Sequence, residues 1–193
     1  MQDRSSGFSL IELMVTLTIL VIVTTLATPS IQTYVSRSIL RAISADFTLS
    51  MQRARTEAIN RNECVAICLS NTSGTSTPQC STTGQNWGVG WLVFRFPSCG
   101  IPQAIGADNP DATPAKREVV LFVREGVSER YTLNNSSSVR AVIFNARGLP
   151  STSATQFNLQ DTQALTGEAS FNRTFCMDMA GRVLILAYGA ACP

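Results

Sequence analysis

The chain has 193 residues, of which 15% are charged, and its formal net charge is +2. This length suits one domain with an internal core, and so small a net charge argues against a protein that coats a polyanion. The sequence contains no histidine, which excludes Ser-His-Asp and Cys-His nucleophile systems and HExxH zinc sites. We therefore expect a protein that is not an enzyme and that carries no cofactor and no metal.

The first element that the sequence predicts is an apolar helix. Residues 13–27 carry no charge, and counting back to Phe8 gives a segment of about 30 Å as α-helix, enough to cross the hydrocarbon of a bilayer. Arg4 precedes this segment and no positive charge follows it closely. The N-terminal side is therefore expected in the cytoplasm, and the bulk of the chain is expected to be exported.

Glu12 is the unusual residue of this segment. A charged side chain inside a bilayer costs about 2.5–3.5 kcal/mol on insertion scales, so a carboxylate at this depth suggests a partner of positive charge at the same depth. The alternative is that Glu12 lies near the lipid headgroups and reaches water.

The helical pattern continues beyond the apolar segment. Apolar residues recur at helical spacing at Ile31, Val35, Ile39, Ile43 and Phe47, with Tyr34, Leu40 and Met51 beside them. We predict one helix over residues 8–60, with a transmembrane half at 8–28, an amphipathic half at 29–60 and a kink at Pro29. A secretory signal cleaved after Ala27 is the alternative, but Glu12 interrupts its apolar core and the helical pattern runs past the cut.

The segment Gly7-Phe8-Ser9-Leu10-Ile11-Glu12, followed by the apolar run, resembles the class III signal of type IV pilins and type II secretion pseudopilins. The resemblance implies that residues 1–7 are a leader removed after Gly7 by a prepilin peptidase, which also N-methylates Phe8. It implies that Glu12 pairs with the N-terminal amine of a neighbouring subunit when helices pack into a filament. It also implies a single-pass protein of the bacterial inner membrane, with a periplasmic C-terminal domain, that later joins a pilus or pseudopilus filament.

After residue 60 the pattern changes to the alternation typical of β-strands. Two long irregular segments, 71–86 and 97–117, are either contact loops or plain surface loops. The sequence predicts an α+β fold, in which the long helix packs on antiparallel sheets formed by 61–193. The segments that predict strands are 64–69, 87–96, 118–124, 129–133, 139–144, 155–159, 170–178 and 182–188, with Trp87, Val89 and Trp91 on one face and in the core.

Several of these segments resemble the GspH/FimT family, which contains type II pseudopilin H and related minor type IV pilins. The resemblance implies a minor type IV pilin that takes part in pilus assembly and its priming, near the filament tip. Its partners would be other minor pilins and the major pilin; a type II secretion pseudopilin H among other pseudopilins is the alternative. The segments are RARTEA at 53–58, NWGVGWLVF at 86–94, VIF and GLP within 142–150, and CMDMAGRV at 176–183.

DNA binding is a further alternative, because some FimT-like minor pilins bind DNA through a basic GRxR motif near the C-terminus. The corresponding segment here is Gly181-Arg182-Val183-Leu184, with Leu184 in place of the second arginine. Phosphate binding needs several cations on one face. Arg182 is therefore either one such contact or a solvated hairpin residue.

Six cysteines in a chain of this length indicate an oxidising compartment or a metal site. A metal site is disfavoured because the chain has neither histidine nor a CxxC spacing. Cys176 and Cys192 flank the last predicted hairpin, so we predict a disulfide between them. The other cysteines leave three pairings open: Cys64, Cys68, Cys80 and Cys99.

Overall fold

Helix α1 is the first element of the computed structural model, which describes residues 8–95, 99, 119–151, 155–164 and 171–193. The helix spans Leu10–Arg61 without interruption, close to the predicted range of 8–60. It contributes to two units of the chain, one that ends at Ile39 and one that spans Leu40–Pro193. The predicted leader and, apart from Cys99, the predicted loop 97–117 lie outside the described residues.

The first unit is a helix with an apolar surface. The large apolar side chains from Leu10 to Leu26 are all at least half exposed. The hydroxyl groups along this surface donate hydrogen bonds to carbonyl oxygens three or four residues earlier, as at Thr16, Thr18, Thr24, Thr25 and Thr28. Because these hydroxyls need no water, the helix suits a lipid environment, and it is long and apolar enough to cross a membrane.

In the second unit the helix carries a buried face with helical spacing. The buried stripe starts later than the sequence predicts, because Ile31, Tyr34 and Val35 are exposed. From Leu40 onward one side of the helix is covered, and its buried apolar residues are Leu40, Ile43, Phe47, Met51, Ala54 and Ala58.

The strands of the second unit are β1 Val65–Leu69, β2 Gly90–Arg95, β3 Val119–Glu125, β4 Tyr131–Asn135, β5 Ala141–Phe144, β6 Thr155–Asp161, β7 Arg173–Met177 and β8 Val183–Ala187. They form two antiparallel sheets among the described residues. Sheet A has the order β3-β2-β1-β5, and sheet B has the order β4-β6-β7-β8. The predicted α+β architecture of a long helix on antiparallel sheets is confirmed.

One predicted strand is wrong at its start. Trp87–Val89 forms a 3-10 turn ahead of β2, rather than the first part of a strand over 87–96. The side chain of Asn86 caps this turn, and Gly90 ends it with a φ of 123°, which residues with a Cβ rarely adopt. The turn breaks the alternation, so Trp87 and Trp91 are buried but Val89 is 38% exposed.

Phe47 of α1 lies at the centre of the core. Its ring makes edge contacts with the rings of Trp87, Trp91, Phe157 and Phe175, at centroid distances of 4.9–5.9 Å. All of these side chains are at most 1% exposed. Because Trp91 belongs to sheet A and the two phenylalanines belong to sheet B, one helical side chain joins both sheets.

Strand β1 is buried on both faces. Since side chains alternate along a strand, one face of sheet A contacts α1 through Trp91 and the other face carries a second apolar cluster. The disulfides Cys64–Cys99 and Cys68–Cys80 attach two further segments to this second face. The cluster consists of Cys64, Ala66, Cys68, Leu92, Phe94 and Ile143, with Cys80 packed against it.

Truncation of Phe47 tests the central position of this side chain. We expect Phe47→Ala to lower the free energy of unfolding by about 3–5 kcal/mol, because it leaves a cavity among four rings. Denaturant unfolding of the full chain in detergent, followed by the fluorescence of Trp87 and Trp91, measures the change. The matched variant Leu49→Ala removes a side chain that is 45% exposed and should change stability far less. Equal losses in the two variants would contradict the assignment.

Candidate functional site

The first turn of α1 forms one candidate site. Ser9 lies just before the helix, and its hydroxyl oxygen accepts a hydrogen bond from the backbone N–H of Glu12 at 3.3 Å. Ser9 is therefore the N-cap, and Glu12 occupies the third helical position, in the Ser-x-x-Glu pattern of a capping box. An acidic side chain is favoured there because the first N–H groups of a helix have no internal partners.

The carboxylate of Glu12 has no ion-pair partner within the described ranges. The neighbouring side chains on this turn are apolar and exposed, with Ile11 at 67% and Leu13 at 55%, and Phe8 before the helix is 81% exposed. Gly7 lies outside the described residues. The helix continues through position 29, where the sequence predicts a kink. An acidic group thus lies on a helix whose other side chains suit lipid, a place where an unpaired charge is costly.

The turn between β7 and β8 contains Arg182, the candidate DNA contact. The Oδ1 atom of Asp178 accepts hydrogen bonds from the backbone N–H groups of Ala180 and Arg182, at 2.9 and 2.8 Å. The Nε of Arg182 donates to Oδ2 of the same carboxylate at 2.8 Å. Gly181 has a φ of 75°, which residues with a Cβ rarely adopt, and a Cβ at this position would lie only 3.0 Å from the carbonyl oxygen of Gly148.

These bonds lower the pKa of Asp178 from its ordinary value of 3.8, mainly through the backbone N–H of Arg182 and next through its guanidinium. Arg182 is thus paired with an acid, although its side chain is 71% exposed. Leu184, at the position of the second arginine of the GRxR motif, is 40% exposed. The β7–β8 hairpin therefore exposes Arg182, whose charge is balanced by Asp178, and the apolar side chain of Leu184.

Two other arginines of the domain hold elements together. The guanidinium of Arg130 makes two hydrogen bonds, of 2.8 and 2.7 Å, to the carboxylate of Asp161, whose side chain is 1% exposed. Arg124 of β3 bonds to Asp46 of α1 at 3.3 Å and lies over the ring of Trp91. These ion pairs stabilise the packing between elements. Because each guanidinium already pairs with a carboxylate, it would bind the phosphate of a nucleic acid more weakly.

The last disulfide joins Cys176 of β7 to Cys192, the pair that the sequence favours. It holds the C-terminal segment on the sheet, together with two hydrogen bonds. The hydroxyl of Tyr188 donates to Gln160 at 2.5 Å, and the backbone N–H of Gly189 donates to the hydroxyl of Thr174 at 3.0 Å. The chain therefore turns back over β7 after β8 ends.

Two positioning residues, Ser9 and Asp178, are not among the site residues that the sequence predicts. Each has a local signal: Ser-x-x-Glu before an apolar run indicates a cap, and an aspartate shortly before a glycine indicates a turn. Within the ranges that the structure describes, no group of three or more His, Cys, Asp or Glu side chains is placed to hold a metal ion.

A pH titration tests the Asp178 turn. Because its pKa is lowered in the folded chain, the carboxylate stabilises the fold at neutral pH, and this contribution is lost as the pH falls below 3.8 toward the folded-state pKa. We expect the carboxyl carbon of Asp178 to titrate by NMR below its ordinary range.

The variant Arg182→Gln separates the two causes of this shift. It removes the guanidinium but keeps the backbone N–H, so the pKa of Asp178 should rise and still stay below its ordinary value. A return of that pKa to its ordinary value in Arg182→Gln would contradict a contribution from the backbone bond.

Comparisons with known proteins bear on the family and the fold of the chain. The sequence profile described as "Type II transport protein GspH" matches residues 44–181, and the profile described as "Prokaryotic N-terminal methylation motif" matches residues 2–28. No curated protein sequence matches the chain. Two crystal structures of the type IV minor pilin FimU from Pseudomonas aeruginosa strain PAO1 share the fold, with TM-scores of 0.54 and 0.51. They are 17% and 16% identical, and the matches cover 82% and 79% of this chain and 96% of each FimU chain.

Proposed function

Because the chain belongs to the GspH family of type II transport proteins, we propose that it is a minor type IV pilin that takes part in pilus assembly. The observation that carries the proposal is the place of Glu12, an acid without an ion-pair partner in the described chain, at the start of an exposed apolar helix. The family belongs to the pilin structural proteins, and the role proposed here is structural rather than enzymatic.

Processing creates the partner that Glu12 lacks. We propose that a prepilin peptidase cuts between Gly7 and Phe8, within the methylation motif at residues 2–28, and then methylates the new amine of Phe8. A methylated amine still carries positive charge at neutral pH. In a stack of such helices, this amine of one subunit can lie beside the Glu12 carboxylate of the next.

Pairing of these charges favours assembly over storage in the membrane. A lone carboxylate inside lipid costs about 2.5–3.5 kcal/mol, and a neighbouring amine at the same depth offsets that cost. The apolar side chains between Leu10 and Leu26, which are at least half exposed in the monomer, would pack against helices of other subunits. The helix therefore serves first as an anchor and then as the assembly element.

The domain fits an oxidising compartment on the far side of the inner membrane. All six cysteines form the disulfides described above, and none is free, as expected for an exported protein. We propose a single-pass orientation with this domain in the periplasm, and a role in priming near the filament tip with other minor pilins and the major pilin. DNA binding has less support, because Arg182 is paired with Asp178 and Leu184 is apolar.

Replacement of Glu12 tests the proposal. We expect Glu12→Gln to reduce incorporation into sheared pili by at least about tenfold, because it leaves the neighbouring amine unpaired in an apolar surrounding. Quantitative immunoblots of pili and membranes measure the ratio. The matched variant Glu57→Gln removes an acid that pairs with Arg61 at the surface and should leave incorporation unchanged. Full incorporation of Glu12→Gln would refute the charge-pairing account.

Mass spectrometry of the membrane-extracted chain separates processing from assembly. The mature chain, in the parent and in Glu12→Gln, should begin at Phe8 and carry one added methyl group. A chain that begins at Thr28 would instead show a secretory signal and remove the anchor.

A strain that lacks the gene distinguishes the pilus from the type II secretion system. We expect loss of surface pili with type II secretion intact, and recovery of pili when the parent gene is returned. Loss of secretion with intact pili would assign the chain to a pseudopilus, as pseudopilin H.

A further inference from the structure

Most edges of the two sheets are protected against pairing with another chain. Asn86 bridges to Asn134 at the edge of β4, and Pro150 bridges to Phe144 at the edge of β5. Strand β3 has a register shift against β2, and it ends with the exposed charge of Glu125. Covering segments, irregular pairing and charges are the usual means of blocking a sheet edge.

Strand β8 has none of these protections. It contains no charged residue and no proline, it pairs with β7 without a register shift, and no described strand pairs with its outer edge. Leu184 and Ile185 are 40% and 47% exposed, although they lie on opposite faces of the sheet. An exposed, regular and apolar edge of this kind is a template for a strand of another chain.

The backbone of β8 offers hydrogen-bonding groups at this edge. At the hairpin, the N–H of Asp178 donates to the carbonyl oxygen of Arg182 at 3.0 Å. In an antiparallel ladder the bonded positions alternate, so the even-numbered residues of β8 direct their N–H and C=O groups toward β7. The residues that direct these groups to the open edge are Val183, Ile185 and Ala187.

The C-terminal segment leaves this edge open. After Ala187 the chain turns, with the N–H of Ala190 bonded to the carbonyl of Ala187 at 3.1 Å. Gly189 then bonds to Thr174 of β7, and Cys192 is joined to Cys176 of β7. The segment is therefore held on β7, so the edge is open at Val183 and Ile185, whereas the carbonyl oxygen of Ala187 is already bonded within the turn.

We propose that a second copy of this chain adds its own β8 to this edge, antiparallel, about a two-fold axis at Ile185. In this register Ile185 lies opposite Ile185 of the second copy, and Leu184 lies opposite its Leu186. Every pair across the contact is then apolar. Arg182 lies beyond the strand, opposite Tyr188 of the second copy, so the two positive charges stay at opposite ends and do not repel each other.

The pairing joins two copies of sheet B into one continuous sheet. Ile185 exchanges two backbone hydrogen bonds with its counterpart, and Val183 pairs with Ala187 at each side. A contact through one strand is smaller than the interface of about 1,600 Å² that is standard for stable complexes. We therefore expect a reversible association that strengthens when the chains are concentrated in a membrane or micelle. This pairing does not depend on the proposed function.

Cysteine cross-linking of the full chain in detergent tests the register. All native cysteines are in disulfides, so Ile185→Cys introduces the one free thiol. In the proposed register two such residues lie about 5.5 Å apart between Cα atoms, a distance that a disulfide spans. In the matched variant Ala187→Cys the Cα atoms of the two cysteines would lie about 14 Å apart, which is too far for a disulfide. Mild oxidation should give at least about tenfold more cross-linked dimer with Ile185→Cys than with Ala187→Cys.

Two results would overturn the proposal: no cross-linked dimer with Ile185→Cys, or equal yields from the two variants. A disulfide from position 185 to a different protein would assign the edge to another partner and overturn it as well.

Sedimentation of the full chain gives an independent measurement that needs no added thiol. The parent chain should form a dimer as its concentration rises. Ile185→Pro should prevent this dimer, because it removes an outward N–H but no bond to β7, a change that edge strands tolerate. A parent chain that stays monomeric, or an Ile185→Pro chain that still dimerises, would contradict the pairing.

Discussion

The packing of Phe47 between two sheets is the interaction on which the rest of the domain depends. Sheet A and sheet B share no strand, and the rings that surround Phe47 come from both of them. One face of α1 from Leu40 onward is therefore fixed as core. The apolar residues from Leu10 to Leu26 belong to the same helix, Leu10–Arg61, but they take no part in this core.

The two parts of this helix meet opposite physical requirements. From Leu40 onward, one face of the helix is buried against other residues of the same chain. The apolar side chains from Leu10 to Leu26 are exposed in the monomer and need contact with lipid or with other helices. Glu12 needs a further partner, because lipid hydrocarbon offers neither a positive charge nor a hydrogen-bond donor to its carboxylate. Lipid suits the apolar surface alone, whereas the proposed filament of like helices would suit both the apolar surface and the carboxylate.

The sequence predicts the parts of this structure that depend on local pattern. Helical spacing, strand alternation and the cysteines beside the last hairpin place α1, the strands and the Cys176–Cys192 pair close to where the structure has them. It takes Trp87–Val89 for part of a strand and places Val89 beside the buried tryptophans, because a 3-10 turn with alternating apolar residues has the same pattern as a strand. It leaves the Cys64–Cys99 and Cys68–Cys80 pairs open, because they depend on which loop reaches the outer face of sheet A. Strand order and the open edge of β8 are likewise non-local, since pairing between distant segments leaves no periodic signal.

The most direct test of the account is to identify what surrounds the apolar part of α1 in cells that make pili. A photo-activated cross-linking residue at position 20, where Leu20 is 58% exposed, reports its neighbours in the membrane and in the filament. The account predicts cross-links to the N-terminal helix of another pilin subunit, and predicts that these are lost in cells without prepilin peptidase. Cross-links confined to lipid in cells with assembled pili would contradict the claim that this helix is the assembly element.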